Sequence, residues 1–264
     1  MDQQALIQAV TETLKHEPKL HGLFLAGSFG RGTADDWSDV DLIALVAPAE
    51  QAEFAAEWRS RLHAITPIVF WNELNRSGLI INAISEDWLR CDLSITAPDS
   101  LGHRAKDTVK PLIDPHGIYA TLPDSLPLRQ PDRGSVNYLI HEFIRMLGLL
   151  PVALGRGEYM TMVLGVGMLR GHVESLLMQE VSHPDPGGML HQSKVLPADQ
   201  LEMLKALPYP GLDREALIAA NFAMAQAFFP RARALAERLG LEWPSAFEAA
   251  TRRRLEATIG RAWD

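Results

Sequence analysis

Two short segments of the chain hold residue types that could do phosphate chemistry. Gly27-Ser28-Phe29-Gly30-Arg31-Gly32 is a glycine-rich turn, and Ser38-Asp39-Val40-Asp41-Leu42 places two carboxylates at i and i+2 shortly after it. Amide N–H groups exposed at such a turn attract an anion, glycine lets the backbone approach it closely, and Ser28 can cap the short helix or turn that follows. A triphosphate is the natural occupant. Along an extended strand Asp39 and Asp41 share one face while Val40 and Leu42 take the other. Two ionised carboxylates about 5 to 7 Å apart repel, so one of them resists ionisation unless a cation lies between them. Magnesium prefers carboxylate oxygens, water and substrate phosphates, so the two segments together point to a metal–nucleotide site.

Two-ion chemistry needs a third carboxylate. Asp92 is the best candidate. In Trp88-Leu89-Arg90-Cys91-Asp92-Leu93-Ser94-Ile95, the residues Leu89, Cys91, Leu93 and Ile95 alternate on one face, and Asp92 falls on the other between Arg90 and Ser94. Each piece alone has a bland reading, because Gly-Ser turns are common and Asp-x-Asp often marks a solvated strand end. Their order and spacing make the combination specific. Asp35 and Asp36 read as polar turn residues, Arg31 as a phosphate contact or a surface arginine, and Cys91 as a small core residue on the face opposite Asp92.

With these residues in place the chain resembles the DNA polymerase β-like nucleotidyltransferase superfamily, whose signature is a Gly-Ser turn, an Asp-x-Asp strand and a third carboxylate on a later strand. Gly27, Ser28, Asp39, Asp41 and Asp92 match it one by one. The resemblance implies transfer of a nucleoside monophosphate, with ATP as donor, to a hydroxyl. Gly27 and Ser28 would hold the phosphates, with Arg31 a further candidate phosphate contact from its position in the turn; Asp39, Asp41 and Asp92 would bind two Mg2+ ions, and Asp92 would help deprotonate the acceptor.

The elements that must position these groups change in character near residue 130. Before it, the pattern alternates. An amphipathic helix over about 3–16 precedes a buried strand at Leu20–Ala26, and a second strand carries the aspartates into Leu42-Ile43-Ala44-Leu45-Val46. A helix over about 49–63 follows, then strands at Ile65–Trp71, Leu79–Ser85, Trp88–Ile95 and Thr108–Ile113, the last running into the turn Asp114-Pro115-His116-Gly117. This predicts a mixed α/β domain around a small sheet over 1–125, which the resemblance makes the nucleotidyltransferase domain. Leu122–Gly134, with prolines at 123, 127 and 131, reads as a linker.

The remainder predicts an all-α helical bundle domain over 133–264. Apolar residues recur at three- and four-residue spacing over about 135–150, 157–181, 213–239 and 245–260, with breaks at Gly155, Pro184-Asp185-Pro186-Gly187-Gly188, Pro208-Tyr209-Pro210-Gly211 and Pro244. A nucleotidyltransferase domain followed by helices is similar to the antibiotic nucleotidyltransferases that adenylylate aminoglycosides. Leu154-Gly155-Arg156-Gly157-Glu158 resembles the Arg-Gly-acidic step of their helical domains. That likeness implies an acceptor site partly formed by the helical domain and a glutamate base there, for which Glu142 and Glu158 are the candidates. Glu142 can equally pair with Arg145. His172, His183 and His191 lack ligand spacing.

Composition sets the outer bounds. A 264-residue chain that is 47% hydrophobic and 22% charged folds, and its single cysteine excludes an internal disulfide framework. The apparent lack of a leader makes a cytoplasmic location the default, and the apolar stretches read as too short or too interrupted to span a membrane. Residues 1–132 hold 19 acidic and 11 basic side chains, whereas 133–264 hold 14 of each, so the net charge of −8 belongs to the first half. No basic track for a polynucleotide is visible, and Arg252-Arg253-Arg254 reads as a solvated helix face. The expected partners are a nucleoside triphosphate and a small hydroxylated acceptor, an aminoglycoside among them, with neither nucleic acid nor membrane. A protein adenylyltransferase and a non-catalytic nucleotide-binding regulator stand as alternatives.

Overall fold

The computed structural model describes residues 1–75, 78–182, 190 and 192–263. The chain forms two compact units, Met1–Pro127 and Leu128–Asp264. The loop Pro184–Gly188, His183 and His191 lie outside the described residues.

In the first unit the elements are α1 (Gln3–Leu14), β1 (Leu20–Leu25), α2 (Gly27–Arg31), β2 (Val40–Val46), α3 (Gln51–Ile65), β3 (Ile68–Asn75), β4 (Leu79–Ser85), β5 (Arg90–Thr96), β6 (Lys110–Ile113) and α4 (Ile118–Thr121). The six strands form one mixed sheet in the order β3-β4-β5-β2-β1-β6, in which only β2 and β5 run parallel. A parallel pair requires a crossover, which α3 and the β3–β4 hairpin supply. One face of the sheet is closed by α1 and α3, whose Leu6, Val10, Phe54, Trp58 and Leu62 pack on Leu42, Ala44, Cys91 and Leu93. On the other face Phe24, Ile43 and Leu45 are covered by Leu101, Val109 and Leu122. Asp41 and Asp92 open onto this second face.

The predicted strand positions shift by a few residues at their starts. The strand expected from Ile65 begins at Ile68, because α3 runs on to Ile65, and the one expected from Thr108 begins at Lys110. Thr108 instead closes a turn, its hydroxyl donating to the Ala105 carbonyl at 2.8 Å.

The second unit contains α5 (Arg133–Arg156), α6 (Tyr159–Glu180), α7 (Gln192–Val195), α8 (Ala198–Ala206), α9 (Arg214–Arg238) and α10 (Ser245–Ile259). Aspartates begin two of the long helices: Asp132 accepts from Ser135 N and Asp213 from Ala216 N, at 2.7 and 2.8 Å. At the centre of the core Phe143 stacks on Phe228 at 3.9 Å, and Phe229 meets Phe143 edge-on. Arg170 is buried because its guanidinium satisfies the last carbonyls of α8, donating to Leu204 O and Leu207 O.

Two expectations are corrected here. The helix expected to stop near residue 150 runs through Pro151 and Gly155 to Arg156, and it is Gly157, at φ +68°, that ends it. As one uninterrupted 24-residue helix, α5 is long and apolar enough to cross a membrane by length and composition, contrary to the reading of interrupted stretches. Its Val136, Ile140, Phe143, Ile144 and Leu147 belong to the core of this unit. The helix α8 was not expected at all, since its nine residues lie beside a proline-bracketed stretch.

Candidate active site

The parallel pairing of β2 with β5 sets the register Asp41↔Asp92. Asp41 is the one polar residue in the apolar strand Val40–Val46, and Asp92 alternates with the buried Cys91 and Leu93. Asp39 lies immediately before β2. Among the described residues Asp39, Asp41 and Asp92 form a group in which one oxygen from each lies within 4.8 Å of the others. The sequence places these three residues up to 53 positions apart; strand register brings them together.

Their charges are poorly compensated. Burial pushes the Asp41 carboxyl up to about 6, and the neighbouring Asp39 and Asp92 push the same way against Arg31 and Arg90. Asp92 is also raised, first by burial, while a hydrogen bond from Asn82 opposes the rise. Arg90 holds Asp39 from the outside, Nη1 to Oδ2 at 3.2 Å, and its Nη2 donates to Trp37 O. An all-oxygen set of mutually repelling carboxylates fits a hard divalent cation such as Mg2+.

The glycine turn abuts this group. Gly27 has φ +55°, and a Cβ built there would lie 1.8 Å from Asp41 Oδ2, so only glycine allows the turn and the carboxylate to coexist. Gly30 is required for another reason: a Cβ would strike the carbonyl oxygens of Thr108 and Leu25 at 2.5 and 2.8 Å. Gly32 ends α2 at φ +71°. Ser28 does not cap the helix, as the sequence suggested. The cap position is Ala26, whose backbone N donates to Asp41 O, and Ser28 is the second residue of the helix. Its Oγ is buried without a hydrogen-bond partner among the described residues. An orphaned buried hydroxyl is unfavourable unless a ligand satisfies it, which suits a phosphate held at this turn.

The other candidates fall as follows. Arg31 closes α2 and acts electrostatically on Asp41. Asp35 accepts from Trp37 N and Ser38 Oγ, a turn role. Cys91 is buried on the opposite face, and burial drives its thiol far upward, so it is an inert core group. Glu142 belongs to the second unit, where Arg145 binds it in two-pronged fashion through Nε and Nη2 at 2.7 and 2.5 Å. The Arg145 hydrogen bond holds its carboxyl below the usual range, the opposite of what a base requires. Glu158 is exposed and precedes α6.

Sequence reasoning missed Asn82 and Asn72. The register pairs run Asp41↔Asp92↔Asn82↔Asn72, one polar row across four strands from the aspartates to the sheet edge. The available signal was a single amide in the apolar run Leu79–Ser85.

Residues 7–110 match the nucleotidyltransferase domain family. No curated protein matches the chain. Among solved structures, an aminoglycoside 6-adenyltransferase from Bacillus subtilis is 12% identical, with 97% of each chain covered and a TM-score of 0.46. The apo form I of a CCA-adding enzyme is 12% identical, covering 96% of this chain and 69% of that one, with a TM-score of 0.33. A GLD-2/RNP-8 complex structure is 14% identical, covering 98% and 95%, with a TM-score of 0.30.

Proposed function

We propose that this chain, an enzyme whose residues 7–110 form a nucleotidyltransferase domain, transfers the nucleoside monophosphate of ATP to a hydroxyl of a small acceptor. The observation that carries this reading is the three-carboxylate group lying directly against a glycine whose added Cβ would strike the Asp41 carboxylate.

In this reading the turn at Gly27 and the unpartnered Ser28 Oγ receive the terminal phosphates of ATP, with Arg31 nearby to offset their charge. Asp39, Asp41 and Asp92 would hold Mg2+, which would neutralise charge on the triphosphate and on the departing pyrophosphate. The acceptor hydroxyl forms the new bond to the α-phosphorus as the bond to the bridging oxygen of pyrophosphate breaks. Asp92 receives the hydroxyl proton. Asn82 donates a hydrogen bond to the Asp92 carboxylate and keeps it oriented. Glu142 has no part in this scheme because Arg145 already occupies its carboxylate.

A small acceptor is favoured over a polynucleotide by charge. The first half of the chain carries 19 acidic and 11 basic side chains, which opposes a phosphodiester backbone. The test is pyrophosphate release from ATP with Mg2+ against aminoglycosides, sugar phosphates, hydroxy acids, tRNA and whole-cell protein, using Asp41→Asn as control. Release with one small-molecule class, lost in the variant, supports the proposal. Label appearing on protein or tRNA instead would replace the acceptor assignment, and no release with any acceptor would overturn transfer itself.

A further inference from the structure

A cavity of about 190 Å3 lies on the face of the sheet that carries the aspartates, lined by Ile43, Ile80, Ser94, Thr96, Ser100 and Arg104 among others. Its floor is the next row of the sheet. Ile43↔Ser94 and Ser94↔Ile80 are register partners two residues on from Asp41↔Asp92 and Asp92↔Asn82, a displacement of about 7 Å along the strands.

Arg104 is one of the residues that line the cavity. Arg104 follows the 3-10 turn Pro98–His103, and its Nε is buried with no hydrogen-bond partner among the described residues. No carboxylate is among the described residues that line the cavity. Leaving a guanidinium N–H unsatisfied away from water is unfavourable, and the planar fork of arginine is matched by a carboxylate or phosphate. The hydroxyls of Ser94, Thr96 and Ser100 add donors around the same space, with Ser100 Oγ engaged only by Asp99 at 3.5 Å.

The position of the cavity decides which substrate it serves. Gly27 presses on Asp41 from the β1 side of β2, whereas the cavity spans Ile43 of β2, Ser94 and Thr96 of β5 and Ile80 of β4, with no β1 residue among its described lining. The donor phosphates and the cavity therefore flank the aspartates. Resting on the nucleotidyl-transfer reading above, we propose that this cavity is an anion subsite for the acceptor, taking a phosphate or carboxylate group carried one strand row away from the reacting hydroxyl. A polycationic acceptor such as an aminoglycoside would bring an ammonium toward Arg104 and is disfavoured.

The test begins with the metal-stripped protein, free of chelator and nucleotide. Inorganic phosphate and acetate are titrated separately at constant ionic strength, and the melting temperature is followed. The expected result is a saturable rise for wild type that weakens at least about tenfold in Arg104→Met and is partly kept in Arg104→Lys. The stronger of the two anions identifies the headgroup. Equal shifts in wild type and Arg104→Met would place the anion at the glycine turn and overturn the subsite, as would no shift in wild type. Far-ultraviolet circular dichroism checks that the variants fold, and Arg104→Lys tests the same point if Arg104→Met does not. With a transferred acceptor in hand, Arg104→Met should raise its KM about tenfold while kcat and the KM for ATP change little. Because the phosphate titration needs neither ATP nor Mg2+, its failure is distinguishable from a failure of nucleotidyl transfer.

Discussion

The Cα of Gly27 is held so close to Asp41 that a single added methyl group would sit 1.8 Å from its Oδ2. Turn and carboxylate are thus one device, and Gly27→Ala should break it. The substitution also forces alanine to φ +55°, at roughly 1 kcal/mol. Isothermal titration should show Mg2+ affinity reduced at least about tenfold with only a modest fall in melting temperature. Wild-type affinity in the variant would refute the coupling.

Asp41→Asn removes one of three neighbouring negative charges from a partly buried position. Without metal the variant should be more stable than wild type at pH 8, by about 2 to 4 °C in melting temperature. Mg2+ binding and transfer should be lost. A variant that melts below wild type under these conditions would contradict the account of mutual repulsion.

The pH dependence has a definite sign. Folded Asp41 titrates at about 6 against 3.8 for a free aspartate. Between these values the folded state holds the extra proton, so metal-free stability falls as pH rises through that window. Mg2+ competes with the same proton. Its affinity should climb about tenfold per unit up to pH 6 and level off above. Titrations at pH 5, 6 and 7.5 measure this; a flat profile would sink it.

Asn82→Ala tests the support of Asp92. Loss of the amide removes the one hydrogen bond that favours the charged carboxylate, so Asp92 should hold its proton to higher pH. The expected outcome is weaker Mg2+ affinity, with the loss growing as pH falls and shrinking as it rises. A loss that is equal at every pH would indicate a structural role instead.

Glu142→Gln separates the two candidate bases. Arg145 already saturates this carboxylate, and the pair is partly exposed, so turnover should stay within about threefold and stability within about 1 kcal/mol. A collapse of kcat with ATP binding intact would move the base from Asp92 to Glu142.

Much of the site could be read from residue order. Gly27, Asp39 and Asp41 lie within 15 positions, and strand alternation alone sets the aspartates on a common face. Asp92 was reachable because Cys91, Leu93 and Ile95 mark its strand as apolar on the reverse side. Asn82 was not, since a lone amide in Leu79–Ser85 acquires meaning only through its register partner. Ser28 was misassigned as a cap because cap preference is statistical, whereas the backbone here begins the turn two residues earlier at Ala26. Gly155 was taken as a break because glycine weakens helices, yet the packed core of the second unit carries α5 through it.

By itself the chain's order of residues determined the chemistry on offer: a turn that only glycine permits, acidic groups at strand spacing, and an apolar alternation that hides one face of each strand. What only the tertiary structure decided is adjacency. Parallel pairing of β2 with β5 set Asp41 beside Asp92, antiparallel pairing of β4 set Asn82 next to them, and the turn after β5 brought Arg104 over the following row. Local propensity acts over a few residues, while register is chosen by burying whole faces at once, and so these neighbours are invisible until the sheet is assembled.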